Sequence, residues 1–262
     1  HVDAQLFSVI TAVRLGVQDG RSTPLTDEQW FLIEELFPCP SSEKNPAPHR
    51  PGGRPPAPPR VCFEGLLWLL RNGGRWQDYP KWTASESTLR RRLIEWTTSG
   101  ILTEVWSRLV NLADDLGQID WKHLIADGSL PGKKGGALVA EGHKGKGTTA
   151  LVLMDNRQTP LGVIIAAAND HESRHIERLV DAGVVPLPKK THLLYDKAAD
   201  SDPLRERLAA RGITLIAPRR RNRKAKRPLH HRHKQRLKQR WKIERTNAWL
   251  HRYGRLAIRN DR

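Results

Sequence analysis

Short apolar runs alternate with amphipathic segments through the second half of this 262-residue chain, and their order restricts the folds it can adopt. A strand is predicted by "WKHLIADGS", and a hairpin by "TTALVLMD" and "TPLGVIIAAA", which an Asn-Arg-Gln turn joins. The segments that follow predict a helix, a strand, a helix, a strand and a last helix: "ESRHIERLVDAG", "THLLYD", "DPLRERLAARG", "ITLIAP" and residues 232 to 252. This order predicts an α/β domain over 118–262, with a mixed sheet and helices packed on its faces.

The first half of the chain contains helical rather than strand-like patterns. Residues 25–117 predict a small all-α domain, and residues 1–24 are an unassigned segment before it. The first helix is predicted in "PLTDEQWFLIEELFP", where Thr26 and Gln29 can form a capping box. Residues 39–60 contain eight prolines and predict an extended linker. A short buried helix, "VCFEGLLWLLRNGG", follows the linker.

Two features of the helical half indicate contact with DNA. The segment "WTASESTLRRRLIEW" predicts a helix from which Arg90, Arg91 and Arg92 fan outward while apolar residues face the core. Two helices, a turn and an arginine-bearing helix are the outline of a helix-turn-helix reader; a solvated basic helix is the alternative. The linker ends in "GGRPPAPPR", whose Arg54 can lie in an A·T-rich minor groove, unless the segment is only a proline-stiffened connector.

Positive charge is concentrated at the end of the chain. From Arg219 to Arg262 there are 18 Lys or Arg residues and two acidic residues, a net charge of +16 out of +17 for the whole chain. This excess indicates a polyanionic partner, with nucleic acid as the first candidate. An acidic membrane surface is the weaker alternative, because no apolar run approaches the roughly 18 residues of a spanning helix.

The cysteines and the start of the chain favour a cytoplasmic protein. Cys39 and Cys62 lie far apart and outside any CxxC pattern, so they predict neither a zinc site nor a disulfide framework. Two free thiols in a reducing cytoplasm are the simpler interpretation. No charged segment followed by an apolar one opens the chain, which argues against secretion.

A single glutamate, Glu244, interrupts the basic segment "RWKIERTNAWLHR". On the predicted last helix it shares one stripe with four other residues: Leu237, Trp241, Ala248 and His251. Glu244 is therefore expected to point toward the sheet, where an unpaired carboxylate is costly and needs a cation. That cation is either a neighbouring arginine, such as Arg240, or a metal ion.

Two aspartates end predicted strands, Asp127 in "LIAD" and Asp196 in "LLYD". Each alone is common at a strand exit. Functional groups gather beyond the carboxyl ends of strands, however, so the two side chains are expected to meet each other and Glu244. Carboxylates without His or Cys select a hard cation, Mg²⁺ or Mn²⁺. In a DNA-binding protein the three acids favour two such ions acting on a phosphodiester.

The chain resembles a DDE-class bacterial insertion-sequence transposase of insertion-sequence family five. The resemblance runs from about Leu25 to Ile258 and is carried by "LTDEQWFLIEELFP", "GRPP", "WLLRNGGRWQDYP", "STLRRRLIEW", "ADGS", "TPLGVIIAAANDHES", "YDKAADSDPLRERL" and "RWKIERTNAWLHRYGRLAIR". It implies a ribonuclease H-like catalytic domain behind a helical DNA-binding domain. It also implies that Asp127, Asp196 and Glu244 are the catalytic triad and the metal ligands, with Asp127 bridging two ions.

The activity implied by the resemblance is that of a transposase acting on double-stranded DNA. Such an enzyme binds terminal inverted repeats, hydrolyses a phosphodiester to free a 3′-OH, and joins that end to target DNA. A homodimer on DNA, in the cytoplasm and at the bacterial nucleoid, is expected. One alternative is a decayed, truncated copy that binds DNA without cutting it, since the chain stops at "IRNDR", where family members continue in a further helix. Another is a ribonuclease H-like nuclease without strand transfer.

Basic residues along the whole chain are predicted to contact DNA: Arg54, Arg90, Arg91, Arg92, Lys144, Lys146, Arg219, Arg220, Arg221, Arg240, Arg245 and Arg252. The loop "KKGGALVAEGHKGKG" lacks the P-loop spacing, and is interpreted as a DNA contact or a merely flexible loop. "HHRH" lacks the spacing of a structural zinc site, so phosphate contact is favoured. Asn169, Asp170 and His171 follow the third predicted strand, either near the active site or as a turn cap.

Overall fold

The structure, a computed structural model, describes residues 25–38, 56–73, 75–80, 84–129, 138–142, 145–221 and 229–253. The chain divides into two compact units, His1–Leu109 and Val110–Arg262. The predicted DNA contacts Arg54 and Lys144, the segment 1–24 and most of the predicted linker lie outside the described residues.

The first unit contains helices α1 (Asp27–Phe31), α2 (Pro59–Asn72), α3 (Glu86–Thr98) and the start of α4 (Ile101–Asp115). The predicted capping box is confirmed at α1, where the Gln29 amide donates to Thr26 Oγ1 at 3.2 Å and the Thr26 amide donates to Gln29 Oε1 at 3.0 Å. The predicted end of the linker at residue 60 is wrong, because Pro59 already begins α2. Proline suits a first helical turn, where its fixed φ is compatible and its missing N–H is not needed.

Aromatic side chains form the centre of the first unit. Phe37 lies 4.8 Å from Trp96, 5.3 Å from Phe63 and 5.1 Å from Trp30 between ring centroids. Trp96 is completely buried and Phe63 is 1% exposed. Each aromatic pair contributes about 0.5–1.5 kcal/mol beyond its buried area. The cluster therefore joins α2, α3 and the segment after α1 into one core.

Helix α3 is capped by Ser85, the residue before its start, whose hydroxyl accepts a hydrogen bond from the Thr88 amide. Arg90 and Arg91 are exposed, and the Arg90 guanidinium lies 5.3 Å from the centroid of the Trp76 ring. The prediction that Arg92 also fans outward is wrong: its side chain is 14% exposed and forms an ion pair with Glu95 at 2.9 Å. Three successive helical positions span about 200°, so one of three adjacent arginines must turn toward the unit.

The second unit is built on a mixed sheet of six strands: β1 (His123–Ser129), β2 (Ala140–Gly142), β3 (Gly145–Asp155), β4 (Pro160–Ala167), β5 (Thr191–Leu194) and β6 (Ile213–Ile216). Strand β1 pairs antiparallel with β3 and parallel with β5. On the outer sides, β4 pairs antiparallel with β3, and β6 pairs parallel with β5. The order β4-β3-β1-β5-β6, with β3 alone reversed among these five, confirms the predicted ribonuclease H-like fold class. The short strand β2 was not predicted.

Helices cover the sheet: α5 (Ile176–Asp181), α6 (Asp202–Ala210), α7 (His231–Leu237) and α8 (Trp241–Leu250). Helix α5 packs against β3 and β4, α6 against β6, and α8 against β1. The single last helix predicted for 232–252 is wrong, because a 3-10 turn, Lys238–Arg240, separates α7 from α8.

The inward orientation predicted for Glu244 is also wrong. The side chains of α8 that are buried belong to Ile243, Thr246, Asn247 and Leu250. Glu244 is exposed, and Trp241 on the predicted stripe is 50% exposed. The 3-10 turn advances about 120° per residue instead of 100°, which shifts the helix face by about 60° over three residues. The observed face buries two aliphatic side chains and leaves the carboxylate in water, which avoids its desolvation cost.

Candidate active site

Asp127 lies on β1, and Asp196 lies two residues beyond the end of β5, at the same level of the sheet. Ile125 of β1 is opposite Leu194 of the parallel strand β5, and each aspartate lies two residues further along. The Tyr195 amide donates to the carbonyl oxygen of Ile216, so the pairing of β5 with β6 continues to the residue before Asp196. Neighbouring strands are about 4.8 Å apart. The topology therefore brings together two carboxylates that are distant in sequence.

Asp196 has a second role in the local backbone. Its Oδ1 accepts a hydrogen bond of 2.7 Å from the Ala198 amide and caps the 3-10 turn Lys197–Ala199. One carboxylate oxygen is thus used to fix the orientation of the side chain. The other oxygen accepts no hydrogen bond from the described part of the chain and can serve a ligand.

Asp127 lies inside β1 rather than at its end, and its side chain is 19% exposed. Burial raises the pKa of this carboxyl from 3.8 to about 6. The Arg240 guanidinium, with Nη2 3.8 Å from Asp127 Oδ1, opposes this rise, whereas the charges of Glu172 and Asp196 add to it. Three carboxylates therefore share one partly dry region, and the Arg240 guanidinium lies beside Asp127.

We expect Asp127→Asn to raise the free energy of unfolding by about 2 kcal/mol at pH 7.5, because folding raises the pKa of this carboxyl and so disfavours its charged form. Between pH 3.8 and about 6 the folded state binds the proton more tightly than the unfolded state does. The stability due to this group is therefore greatest at low pH and is lost as the pH rises through about 6.

Urea unfolding of parent and variant at pH 7.5 and pH 4 measures this effect. The difference should be large at pH 7.5 and small at pH 4. Glu206→Gln, at an exposed position of α6, serves as the control. An equal effect of Asp127→Asn at both pH values would contradict the assignment.

Glu172 and Tyr195 belong to the same region, although neither was predicted as a site residue. The buried Tyr195 hydroxyl donates to Glu172 Oε2 at 2.9 Å. Burial and the neighbouring charges of Glu172, Asp127 and Asp196 raise the pKa of Tyr195 well above 10, so it stays a donor. Glu172 lies in the 3-10 turn that follows β4, directly after Asn169–His171, which were predicted either to lie near the site or to cap a turn. The His171 side chain caps this turn by accepting a hydrogen bond from the Ser173 amide.

Glu244 is not among the charged groups with the largest effects on the pKa of Asp127, which are Arg240, Glu172 and Asp196. In the described parts of the chain, no three His, Cys, Asp or Glu side chains are arranged to hold a metal ion. The structure thus brings Asp127, Asp196 and Glu172 into one electrostatic neighbourhood, and it places Glu244 on the exposed face of α8.

Helix α8 is fixed to the sheet unit at its start. Lys242 Nζ donates to the Asn156 carbonyl oxygen at 3.0 Å and to Asn156 Oδ1 at 2.8 Å, in the turn between β3 and β4. Asn156 also donates to Asp120 Oδ2. Together with Arg240 beside Asp127, this contact sets the position of the helix that carries Glu244.

A cavity of about 530 Å³ opens beside the carboxylates. Gly128, Ser129, Glu172 and Ala198 are among the residues that line it, together with the Ala168–His171 segment. None of its lining residues is Lys or Arg within the described chain. Its wall is therefore acidic, in contrast to the basic end of the chain.

The predicted DNA contacts fall into two groups. Arg219 forms ion pairs with Asp202 and Asp200, and the Arg220 side chain donates to the carbonyl oxygens of Lys197 and Ala198. These two arginines are engaged by the protein itself, as are Arg92, which pairs with Glu95, and Arg240, which lies beside Asp127. Six others are exposed: Arg90, Arg91, Lys146, Arg221, Arg245 and Arg252.

Both parts of the chain are similar to known proteins. A profile described as a transposase of the IS4/5 family matches residues 25–106, and one described as a transposase DDE domain matches residues 113–260. An uncharacterized 16.2 kDa protein of insertion element IS402 from Burkholderia cepacia is 35% identical over 109 residues, which are 40% of this chain and 70% of that protein. The uncharacterized protein y4sN of Sinorhizobium fredii is 29% identical over 106 residues, 40% of this chain and 74% of that one.

Among solved structures, a piggyBac transposase synaptic complex with hairpin DNA aligns with a TM-score of 0.33 and 14% identity. The alignment covers 85% of this chain and 42% of that one, less than half its length. With so low a score, the strand order and pairing remain the evidence for the fold. Of the helices described here, none is both long enough and apolar enough to cross a bilayer.

Proposed function

This chain belongs to the DDE transposase family, and we propose that it binds the terminal inverted repeats of a mobile DNA element, cuts a phosphodiester at each end and joins the freed 3′-OH to target DNA. The observation that carries the proposal is the pair of carboxylates formed by Asp127 of β1 and by Asp196, which lies just beyond the parallel strand β5. The match of the DDE domain over residues 113–260 supports it.

Divalent metal ions are generally used by this family. The donor chemistry of the residues present fits such an ion, because carboxylate oxygens are hard ligands and the negative charges of Asp196 and Glu172 both act on Asp127. We propose Mg²⁺ or Mn²⁺, two ions, held by Asp127, Asp196 and Glu244. A bound ion supplies an activated water and a counter-charge for the leaving oxygen. Glu244 stands on the exposed side of α8, so its part in holding the ions rests on the "KIERT" motif alone.

The chain's own residues bind and orient the DNA. Exposed arginines of the basic end, such as Arg221, Arg245 and Arg252, attract phosphates, while α3 presents Arg90 and Arg91. Holding the scissile phosphodiester beside Asp127 removes much of the entropic barrier to its reaction. Because two DNA ends must be joined, we propose a homodimer on DNA, acting at the bacterial nucleoid.

The test uses labelled DNA that ends in the element's inverted repeat, incubated with the full chain and Mg²⁺ or Mn²⁺. A nicked product and a joined product on target DNA are both expected. Binding without any cut would instead identify a decayed copy, and cutting without joined products would identify a nuclease.

Phosphate contact by the exposed arginines predicts a change in the salt dependence of DNA binding. Arg221→Gln and Arg245→Gln should each lower the slope of log affinity against log salt by about one unit. Arg219→Gln should lower it less, because Arg219 is already paired with Asp202 and Asp200. Fluorescence anisotropy at several salt concentrations measures the slopes. An equal slope for the parent and for Arg245→Gln would refute the contact at that position.

A further inference from the structure

Glu172 is held against the strands that carry the paired aspartates. Its Oε2 accepts the hydrogen bond of Tyr195, which directly precedes Asp196. Its Oε1 lies over Gly128, which directly follows Asp127, and a Cβ added to Gly128 would come within 2.5 Å of that oxygen. Tyr195 is completely buried, so the sheet fixes the position of the donor. The Glu172 carboxylate is thus positioned beside both strands rather than free on a loop.

A second observation indicates that this region receives a ligand. Ser129 lines the same cavity as Gly128 and Glu172. It is only 9% exposed, and its buried hydroxyl has no hydrogen-bond partner in the described structure. Buried hydroxyls are nearly always paired, so an unpaired one marks a position for a water or an ion with its bound water.

We propose that Glu172, oriented by Tyr195, is an accessory acidic residue of the Asp127–Asp196 pair, whose negative charge strengthens the binding of a divalent cation there. This inference rests on the proposed function, because it requires that the aspartates bind such a cation. Glu172 lies outside the Asp127, Asp196 and Glu244 triad, in a turn after β4 to which no sequence motif gave a role in the reaction.

A purely structural role would not require the charge. The Tyr195 hydroxyl needs only an acceptor, which a neutral amide oxygen supplies equally well. A carboxylate placed near two others instead raises the repulsion among them. The same negative charges attract a divalent cation, because each nearby unit charge strengthens the binding of a doubly charged ion.

The test measures Mn²⁺ binding directly, by calorimetry on the full chain without DNA. Glu172→Gln keeps the size and the acceptor for Tyr195 but removes the charge, and we expect about tenfold weaker binding. Gly128→Ala retains the charge but pushes the carboxylate away, and a similar loss is expected. Tyr195→Phe removes only the hydrogen bond, so the loss should be about threefold. The exposed Glu206→Gln is the matched control and should bind Mn²⁺ as the parent does.

DNA cleavage gives a second readout. The Mn²⁺ concentration for half-maximal cleavage should rise about tenfold in Glu172→Gln, with the maximal rate retained. Melting temperatures measured without metal show whether each variant is folded. If Glu172→Gln does not fold, the Mn²⁺ affinities of Gly128→Ala and Tyr195→Phe test the role of Glu172 instead. Asp127→Asn is measured alongside and should abolish Mn²⁺ binding. If it does, parent-like Mn²⁺ affinity in Glu172→Gln, or in both Gly128→Ala and Tyr195→Phe, would overturn the role of Glu172. Parent-like affinity in Asp127→Asn would instead overturn the proposed function.

Discussion

DNA-end cleavage is expected to fall about a thousandfold in Asp127→Asn and in Asp196→Asn. Each change keeps the volume of the side chain and removes one of the two carboxylate charges that the pairing of β1 with β5 brings into one neighbourhood. A divalent ion contributes several kcal/mol to phosphodiester cleavage, and about 4 kcal/mol corresponds to three powers of ten in rate. The basic surface is unchanged, so DNA affinity should stay within about twofold of the parent.

Single-turnover cleavage of labelled repeat-end DNA measures the rate, and anisotropy without metal measures the affinity. Glu206→Gln, an acid-to-amide change at an exposed site on α6, should leave both values unchanged. Cleavage within tenfold of the parent in either aspartate variant would rule out the paired carboxylates as the reaction centre.

Glu244→Gln, assayed in the same way, separates two arrangements of the site. A loss of cleavage rate equal to that of the aspartate variants means that Glu244 reaches the two aspartates when DNA is bound. A rate equal to that of the parent means that the site consists of groups already together in the free chain: Asp127, Asp196 and Glu172.

The paired aspartates could be predicted because strands leave a strong local signal. Apolar runs of strand length end at Asp127 and at Asp196. The hairpin and the helix between them form a connection long enough for β1 and β5 to be parallel neighbours. The capping box at Thr26 was predictable for the same reason, since its partners are three residues apart. These features depend on spacing in the sequence.

The orientation of Glu244 could not be obtained from spacing, because two faces of α8 compete. One contains Trp241 and Ala248, and the other contains Ile243 and Leu250, so both offer apolar side chains. Which of the two faces is buried depends on the 3-10 turn before α8, and short turns of this kind have no strong sequence signal. Periodicity read across the turn therefore gave the wrong face.

Glu172 was missed because its contacts are entirely tertiary. Tyr195, its hydrogen-bond partner, is 23 residues away, and Gly128 belongs to another strand. The signal available was the position of "NDHES" directly after a predicted strand, where functional side chains gather. Likewise, Arg219 and Arg220 looked like phosphate ligands because charge counts do not show that Asp200 and Asp202 lie beside them.

Removal of the Trp96 side chain should be the most destabilising single change in the helical unit. Trp96 is completely buried, and its ring lies 4.8 Å from Phe37 and 6.4 Å from Phe63. Truncation of a buried Trp to Ala costs about 3–5 kcal/mol, because the lost contacts leave a cavity that the neighbours fill only partly. Most domains have only 5–15 kcal/mol of stability, so Trp96→Ala should unfold this unit at low urea concentrations.

The consequence for DNA binding follows from the position of Trp96 on α3. That helix presents Arg90 and Arg91 to solvent, so its loss of order should remove the preference for inverted-repeat ends over unrelated DNA. Non-specific binding through the basic end should persist, because it requires charge rather than the α3 surface. Competition between repeat and unrelated DNA measures the preference, and circular dichroism in urea measures the unfolding. Trp96→Phe, which keeps an aromatic ring against Phe37, is the control. A full preference for repeat ends in unfolded Trp96→Ala would show that recognition does not depend on α3.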